Sequence, residues 1–306
     1  MASGVHAGRR LRTLMEKEFL LIPGAFNGIS ARLAAQQGFR ALYLSGAALS
    51  ASQGLPDIGL VPSEDFCRTI HEMNQVTSLP ILADADTGFG GTEKIRKVVF
   101  DFHFAGAAGL HIEDQQMPKR CGHLSGKTLI SVDEMKRKIE AAKKAAEDFT
   151  SGDFIICART DAFAVEGLEG AIGRACRYVE SGADMIFPEG LNSLSAFSSF
   201  ATALRDVLGP APGGGPFLLA NMTEFGQTPM LKANDFKDAG FHCAIYPVSA
   251  LRVAMKAIRE MYSELSTLET LEGQVQKMLS RKDLYETLHY NPSKEWYFPS
   301  TALKSP

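Results

Sequence analysis

The sequence predicts a (β/α)8 barrel, and three observations carry the prediction. Eight short apolar runs recur along the chain, at 19–22, 41–44, 80–83, 109–112, 154–158, 185–187, 217–220 and 243–246. Each is near-continuously apolar, as expected of parallel strands covered on both faces. Amphipathic stretches of helical length separate them, with 133–147 and 166–180 the clearest. The runs also end on polar residues, and in a barrel all such ends converge on one face. An open doubly wound sheet is the alternative for the same alternation. It would carry a glycine fingerprint after its first strand, and Pro23-Gly24-Ala25-Phe26-Asn27-Gly28 is not one.

Taken in order, the second run exits into Ser45-Gly46, the third into Asp84-Ala85-Asp86 and the fourth into Glu113-Asp114. The fifth exits into Arg159-Thr160-Asp161, the sixth into Pro188-Glu189, the seventh into Asn221 and the eighth into Pro247. A single polar strand end is usually a helix cap. Several of both charges, brought to one face, point to a functional site. His111, inside an apolar run, reads as an interior structural histidine. Gly213-Gly214-Gly215 leads into Pro216 and a strand, so it reads as a surface linker and not a phosphate loop. After the last run, 250–267 and 272–279 show apolar spacing suited to helices.

Length and composition bound the rest. A chain of 306 residues buries a large core, and 1–306 reads as one barrel domain with 250–306 as C-terminal helices. A net charge of −3 gives no electrostatic case for nucleic acid or an anionic membrane. No apolar run is long enough to span a bilayer. Arg9, Arg10 and Arg12 have no apolar stretch beside them, so no secretory signal is read. The cytoplasm is expected, with a mitochondrion or other organelle left open. Five cysteines without framework spacing imply reduced thiols. Asn221-Met222-Thr223 matches a glycosylation acceptor and is discounted for want of a secretory signal.

Two clusters carry chemistry. Lys119-Arg120-Cys121-Gly122-His123 places a thiol between cations and a histidine, neighbours that lower a thiol pKa. The glycine gives backbone freedom, so the segment reads as a loop presenting a reactive thiol; an incidental exposed cysteine is the bland alternative. Asp84 and Asp86, two apart at a strand end, point to one side. With Asp57 and Glu113 they concentrate hard oxygen donors, which favour Mg²⁺, or Mn²⁺, over zinc. Mg²⁺ retains water, so some of these carboxylates would act through water. The competing reading is a carboxylate cluster neutralised by Arg159 and Lys119. Ser45-Gly46-Ala47 follows a strand, where backbone N–H groups can face an anion.

Together these residues resemble the isocitrate lyase and phosphoenolpyruvate mutase superfamily, from about Leu20 to about Tyr290. The motifs are Tyr43-Leu44-Ser45-Gly46, Gly54-Leu55-Pro56-Asp57, Asp84 to Gly90, His111 to Gln115, the cysteine loop, Ala158 to Ala162, Phe187-Pro188-Glu189 and Asn221 to Gly226. The cysteine loop is similar to that of the lyase branch. The resemblance implies a Mg²⁺-dependent carbon–carbon lyase acting on a hydroxy- or oxo-carboxylate, and a homotetramer whose barrels exchange C-terminal helices. It implies Cys121 as general acid tuned by His123 and Arg120, with Arg159, Asn221 and Glu189 stabilising developing charge. Ser45, Gly46 and Ala47 would hold the 2-oxo acid end, Thr223 and Lys119 would bind substrate, and Tyr43 is the candidate base.

Substrate follows by resemblance too. Phe187 stands where isocitrate lyases carry a larger tryptophan, implying a methyl on C2 and pyruvate as product. Bacterial 2-methylisocitrate lyases continue the loop with arginine; this chain has Leu124-Ser125-Gly126-Lys127. A third buried carboxylate left unpaired costs roughly 2–5 kcal/mol, so an alkylmalate such as 2,3-dimethylmalate, giving pyruvate and propionate, is expected. With Lys127 or Arg120 serving the third carboxylate, 2-methylisocitrate is the alternative. Oxaloacetate hydrolysis, with Ser45 and Ser249 holding a hydrate, and a non-catalytic carboxylate-binding barrel complete the alternatives.

Overall fold

A computed structural model describes residues 5–120, 126–211 and 213–296. The eight expected strands form, with ends moved by at most two residues. They are β1 (Leu20–Pro23), β2 (Leu42–Leu44), β3 (Ile81–Asp84), β4 (Gly109–Glu113), β5 (Ile155–Thr160), β6 (Met185–Pro188), β7 (Phe217–Asn221) and β8 (Cys243–Tyr246). All neighbours pair in parallel in the order β1-β8-β7-β6-β5-β4-β3-β2. A parallel bridge between Gly24 and Tyr43 joins the two ends, with Ala25 N–H donating to the Tyr43 carbonyl at 2.9 Å. The sheet therefore closes, and the open-sheet alternative falls.

Helix α1 (Ala7–Lys17) precedes the barrel and buries Leu11 and Met15 among inward-facing residues such as Leu20, Ile155, Met185 and Cys243. Arg9 pairs with Asp153 at 2.9 Å and Arg12 with Asp184 at 3.0 Å, and Arg10 donates to the Ser78 carbonyl at 2.6 Å. These arginines fasten α1 to the barrel. The outer layer contains α2 (Gly28–Gln36), the short α3 (Gly46–Ser52), α4 (Ser63–Val76), α5 (Thr92–Ala105), α6 (Val132–Thr150), α7 (Phe163–Glu180), α8 (Leu194–Leu208) and α9 (Ala233–Asp238). A second apolar cluster, including Phe66, Phe102, Ile139, Tyr178 and Phe197, packs these helices on the strands. Helix α7 begins three residues before the expected 166 because its first turn is joined across a break at Gly167, whose φ of 74° lies in the left-handed region.

After β8 the chain leaves the barrel wall. Helix α10 (Ser249–Leu268) buries only Leu251. The stretch read as a helix at 272–279 is instead a 3₁₀ segment, Glu272–Lys277. A separate helix, α11 (Arg281–Thr287), follows because Ser280 and Asp283 form a capping box. On the barrel, Leu21 of β1 is left 37% exposed where a strand side chain is normally covered. Among the described residues no helix is long and apolar enough to cross a membrane.

Candidate active site

Register assembles the site. Pairing sets Asp84 of β3 beside His111 of β4, Glu113 of β4 beside Arg159 of β5, and Arg159 beside Phe187 of β6. A cavity of about 270 Å³ opens over these ends. It is lined by ten residues expected from sequence: Tyr43, Ser45, Ala47, Asp57, Asp84, Arg159, Phe187, Glu189, Asn221 and Thr223. A larger cavity, about 610 Å³, lies across Asp86 and contains Lys94 and Lys138. It lacks Arg159 and Asp84, so the smaller space is the candidate active site.

Arg159 is the hub. Its Nε and Nη2 donate to the two oxygens of Asp161 at 3.0 and 3.1 Å, a bidentate pair that orients the guanidinium. Nη1 lies 3.3 Å from Glu113 and 3.6 Å from Glu189, and the guanidinium carbon sits 5.2 Å from the centre of the Phe187 ring. The Asn221 amide donates to Glu189 at 3.1 and 3.3 Å. Asp161 also accepts from Lys127 Nζ at 2.9 Å. Lys127 is therefore buried on Asp161 and does not line the cavity, which removes it as the partner of a third carboxylate.

The acidic cluster has four members. Asp84 accepts from Gly46 N–H at 3.0 Å and Asp86 N–H at 2.9 Å. Burial would raise its pKa, but surrounding positive charge wins and holds it at about 2. His111 is itself pushed down to about 4 by burial, so at neutral pH Lys119 and Arg159 supply that charge. Asp86 adopts a φ of 46°, unusual for a residue with a side chain. Burial and then Asp84 push its carboxyl up to about 6. Lys119 touches Asp57 at 2.6 Å and Asp86 at 2.5 Å, the latter contact close but poorly aligned as a hydrogen bond. Glu113 is fully buried, neither oxygen accepts a hydrogen bond, and burial pushes it up to about 8.

A buried carboxylate that accepts no hydrogen bond and, among the described residues, is paired only with the Arg159 guanidinium, beside two more that repel each other, fits a divalent cation. Among the described residues no three His, Cys, Asp or Glu side chains form a ready-made metal cage. All four donors are carboxylates, hard oxygen ligands of the kind Mg²⁺ takes.

Several expectations need correction. Gly46 backs the site without lining it, because its N–H is donated to Asp84 and a Cβ there would meet that carboxylate at 2.9 Å. Arg120 also lies off the cavity; both its backbone polar groups are bonded by the Gln115 side chain at 2.9 Å. Ser249 donates to Glu224 and does not line the cavity, so it is not placed to hold a hydrate. The Tyr43 hydroxyl is 2.7 Å from His111 Nε2, and burial pushes its ionisation well above 10, so a free phenolate base is not available at neutral pH. Cys121 and His123 lie outside the described residues. Sequence reasoning missed His111 as the partner of Tyr43. It also missed Val248 and Arg252 in the cavity wall, and carried Glu224 and Phe225 only within the motif Asn221 to Gly226, without a role.

Residues 11–266 match the phosphoenolpyruvate phosphomutase family. A 2-methylisocitrate lyase of Halalkalibacterium halodurans is 46% identical over 92% of this chain and 89% of its own. A solved 2,3-dimethylmalate lyase is 34% identical with a TM-score of 0.83, covering 93% of this chain and 92% of that one. A solved oxaloacetate acetylhydrolase in complex with 3,3-difluorooxalacetate is 34% identical with a TM-score of 0.84, covering 92% and 93%. The chain belongs to the phosphoenolpyruvate mutase/isocitrate lyase superfamily and is a carbon–carbon lyase of it.

Proposed function

We propose that this lyase cleaves 2-methylisocitrate to pyruvate and succinate. The observation that carries the reading is that two guanidiniums, Arg159 and Arg252, line the cavity together with Ser45, Asp57, Asp84, Glu189 and Asn221. A tricarboxylate needs a second cation; 2,3-dimethylmalate, with two carboxylates, does not. The similar 2-methylisocitrate lyase of Halalkalibacterium halodurans supports this choice over the alkylmalate expected from the loop. The second reading, 2,3-dimethylmalate, is favoured by the burial of Lys127 on Asp161 and by Ile245 and Val248 in the cavity wall.

Asp84, with Asp57, Asp86 and Glu113 through water, would hold Mg²⁺, which when bound acidifies the substrate hydroxyl. In the proposed reaction the hydroxyl proton passes to Tyr43 as the tyrosine's own proton moves to His111 Nε2, 2.7 Å away. The C2–C3 bond breaks, leaving a C2 oxo group and a carbanion at C3. The cavity-facing edge of Arg159, fixed by Asp161, stabilises that charge as it develops. Cys121 protonates the carbanion. Phe187, stacked under Arg159, shapes the space for the C2 methyl.

The quaternary reading is also a proposal. Helix α10 leaves Val253, Met255, Ile258, Tyr262, Leu265 and Leu268 exposed, while Leu21 lacks cover on the barrel. Exchange of the segment 250–306 between subunits of a homotetramer would satisfy both. The deciding assay follows, with Mg²⁺ and side by side, pyruvate release from 2-methylisocitrate and from 2,3-dimethylmalate and oxalate release from oxaloacetate. A hundredfold preference for 2-methylisocitrate is expected; a preference for dimethylmalate would replace this reading with the second, and pyruvate from neither would end both.

A further inference from the structure

We infer that Asp114, just past the end of β4, is a positioning residue that holds the Arg159 guanidinium in its direction toward the cavity. The inference rests on the lyase reading for one point, that Arg159 stabilises the charge left at C3. Asp114 is fully buried and does not line the cavity, so it acts through other groups. Its neighbour Glu113 accepts no hydrogen bond, whereas Asp114 is fully served. The two adjacent carboxylates separate in this way because successive side chains along a strand point to opposite faces.

Asp114 holds three consecutive residues at the end of β5. Its N–H donates to the Arg159 carbonyl at 3.2 Å. One carboxylate oxygen accepts from the Thr160 hydroxyl at 2.8 Å, and the other accepts from the Asp161 N–H at 2.9 Å. The backbone at 160–161 decides where the Asp161 carboxylate stands, and that carboxylate grips Arg159 through two bonds. A turn of this backbone would therefore swing carboxylate and guanidinium together. Helix α7 fixes Asp114 from behind. The Tyr178 hydroxyl donates to it at 2.8 Å, and Arg174 Nη1 lies 3.5 Å away. Arg174 is itself clamped by Glu166, with bonds of 2.8 and 2.7 Å, and donates to the Ile130 carbonyl at 3.0 Å. Asparagine at 114 keeps an acceptor for the Asp161 N–H, and its amide can donate to either hydroxyl oxygen. Arg174 would still have Glu166, so D114N orphans no buried cation. Alanine removes the acceptors altogether.

The test measures kcat and KM for pyruvate release in D114N, D114A and T160V, each in wild type and in an R159M background, at a temperature where every variant is folded. A misaimed catalytic group costs on the order of a hundredfold, so D114A should lower kcat about fiftyfold with KM within about threefold. D114N should keep kcat within about fivefold of wild type, because it keeps the hydrogen bonds. In R159M no guanidinium is left to aim, so D114A should lower kcat by less than about threefold further. A merely structural role would carry the same factor into both backgrounds. Equal factors, or a D114N as impaired as D114A, would overturn the inference. A second readout needs no substrate: the Nε–H resonance of Arg159 in protein carrying isotopically labelled arginine, identified by its absence in R159M. D114A should shift that resonance and D114N should leave it in place; an unmoved resonance in D114A would overturn the inference. If D114A fails to fold, T160V decides, with kcat lowered about fivefold and the same resonance shifted; no change in either would overturn it. If wild type releases no pyruvate, the substrate reading fails, and the resonance alone decides the role of Asp114.

Discussion

Replacing Asp161 by asparagine should destabilise this protein strongly. Asp161 is fully buried and serves two cations, Arg159 through both oxygens and Lys127 through one. D161N keeps the shape but leaves two buried positive charges facing a neutral amide. Removing one member of a buried ion pair costs about 3–5 kcal/mol. At about 2 °C or more per kcal/mol for a chain of this size, the melting temperature should fall by roughly 10 °C. The cycle with Lys127 sharpens the argument. In wild type, K127M should destabilise by about 1–3 kcal/mol, because Arg159 still partners Asp161. In the D161N background K127M should cost less than in wild type, since the contact to the Asp161 carboxylate is already gone. Thermal melts at one fixed protein concentration measure all four proteins. A drop of under 2 °C for D161N, or a K127M effect of equal size in both backgrounds, would refute the account.

Other outcomes are expected. Millimolar Mg²⁺ without substrate should raise the melting temperature of wild type and much less that of E113Q, because the ion relieves the repulsion among the acidic residues; equal shifts would count against the metal assignment. Y43F should reduce kcat at least a hundredfold while pyruvate binding, followed by calorimetry, changes less than threefold. Burial lowers the pKa of both His6 and His103, whose rings meet at 3.1 Å. Their folded values lie below the unfolded one, so this contribution is intact above about pH 6.5 and is lost as the pH falls further. H103Q should flatten the decline in melting temperature between pH 7 and 5. Placing aspartate at both Ile258 and Tyr262 should reduce the mass measured by light scattering, since those apolar side chains are 49% and 62% exposed in the single chain; an unchanged mass would remove α10 from the proposed interface.

Local pattern made the barrel readable. Each strand is a short apolar run and each junction a polar residue, signals that need only a few neighbouring positions. Asp84, Arg159, Glu189 and Asn221 were legible for that reason, since a parallel barrel sends every strand's C-terminal end to one face. Tertiary contact decided what those residues do. The direction of Arg159 comes from Asp161, and the loss of Lys127 to that same carboxylate depends on a buried contact across 34 positions. The N–H of Gly46, read as open to an anion, is donated to Asp84, 38 residues away. The wall of Glu224 and Arg252 forms because β7 and β8 are neighbours, which brings residues 28 apart into contact. The sequence by itself determined the alternation, the barrel and the set of polar groups at its mouth, because these rest on periodicity and chain direction. Which group neutralises which, and which remains to meet a cation or a substrate, was decided only by folding, because long-range contacts leave no periodic trace in the chain.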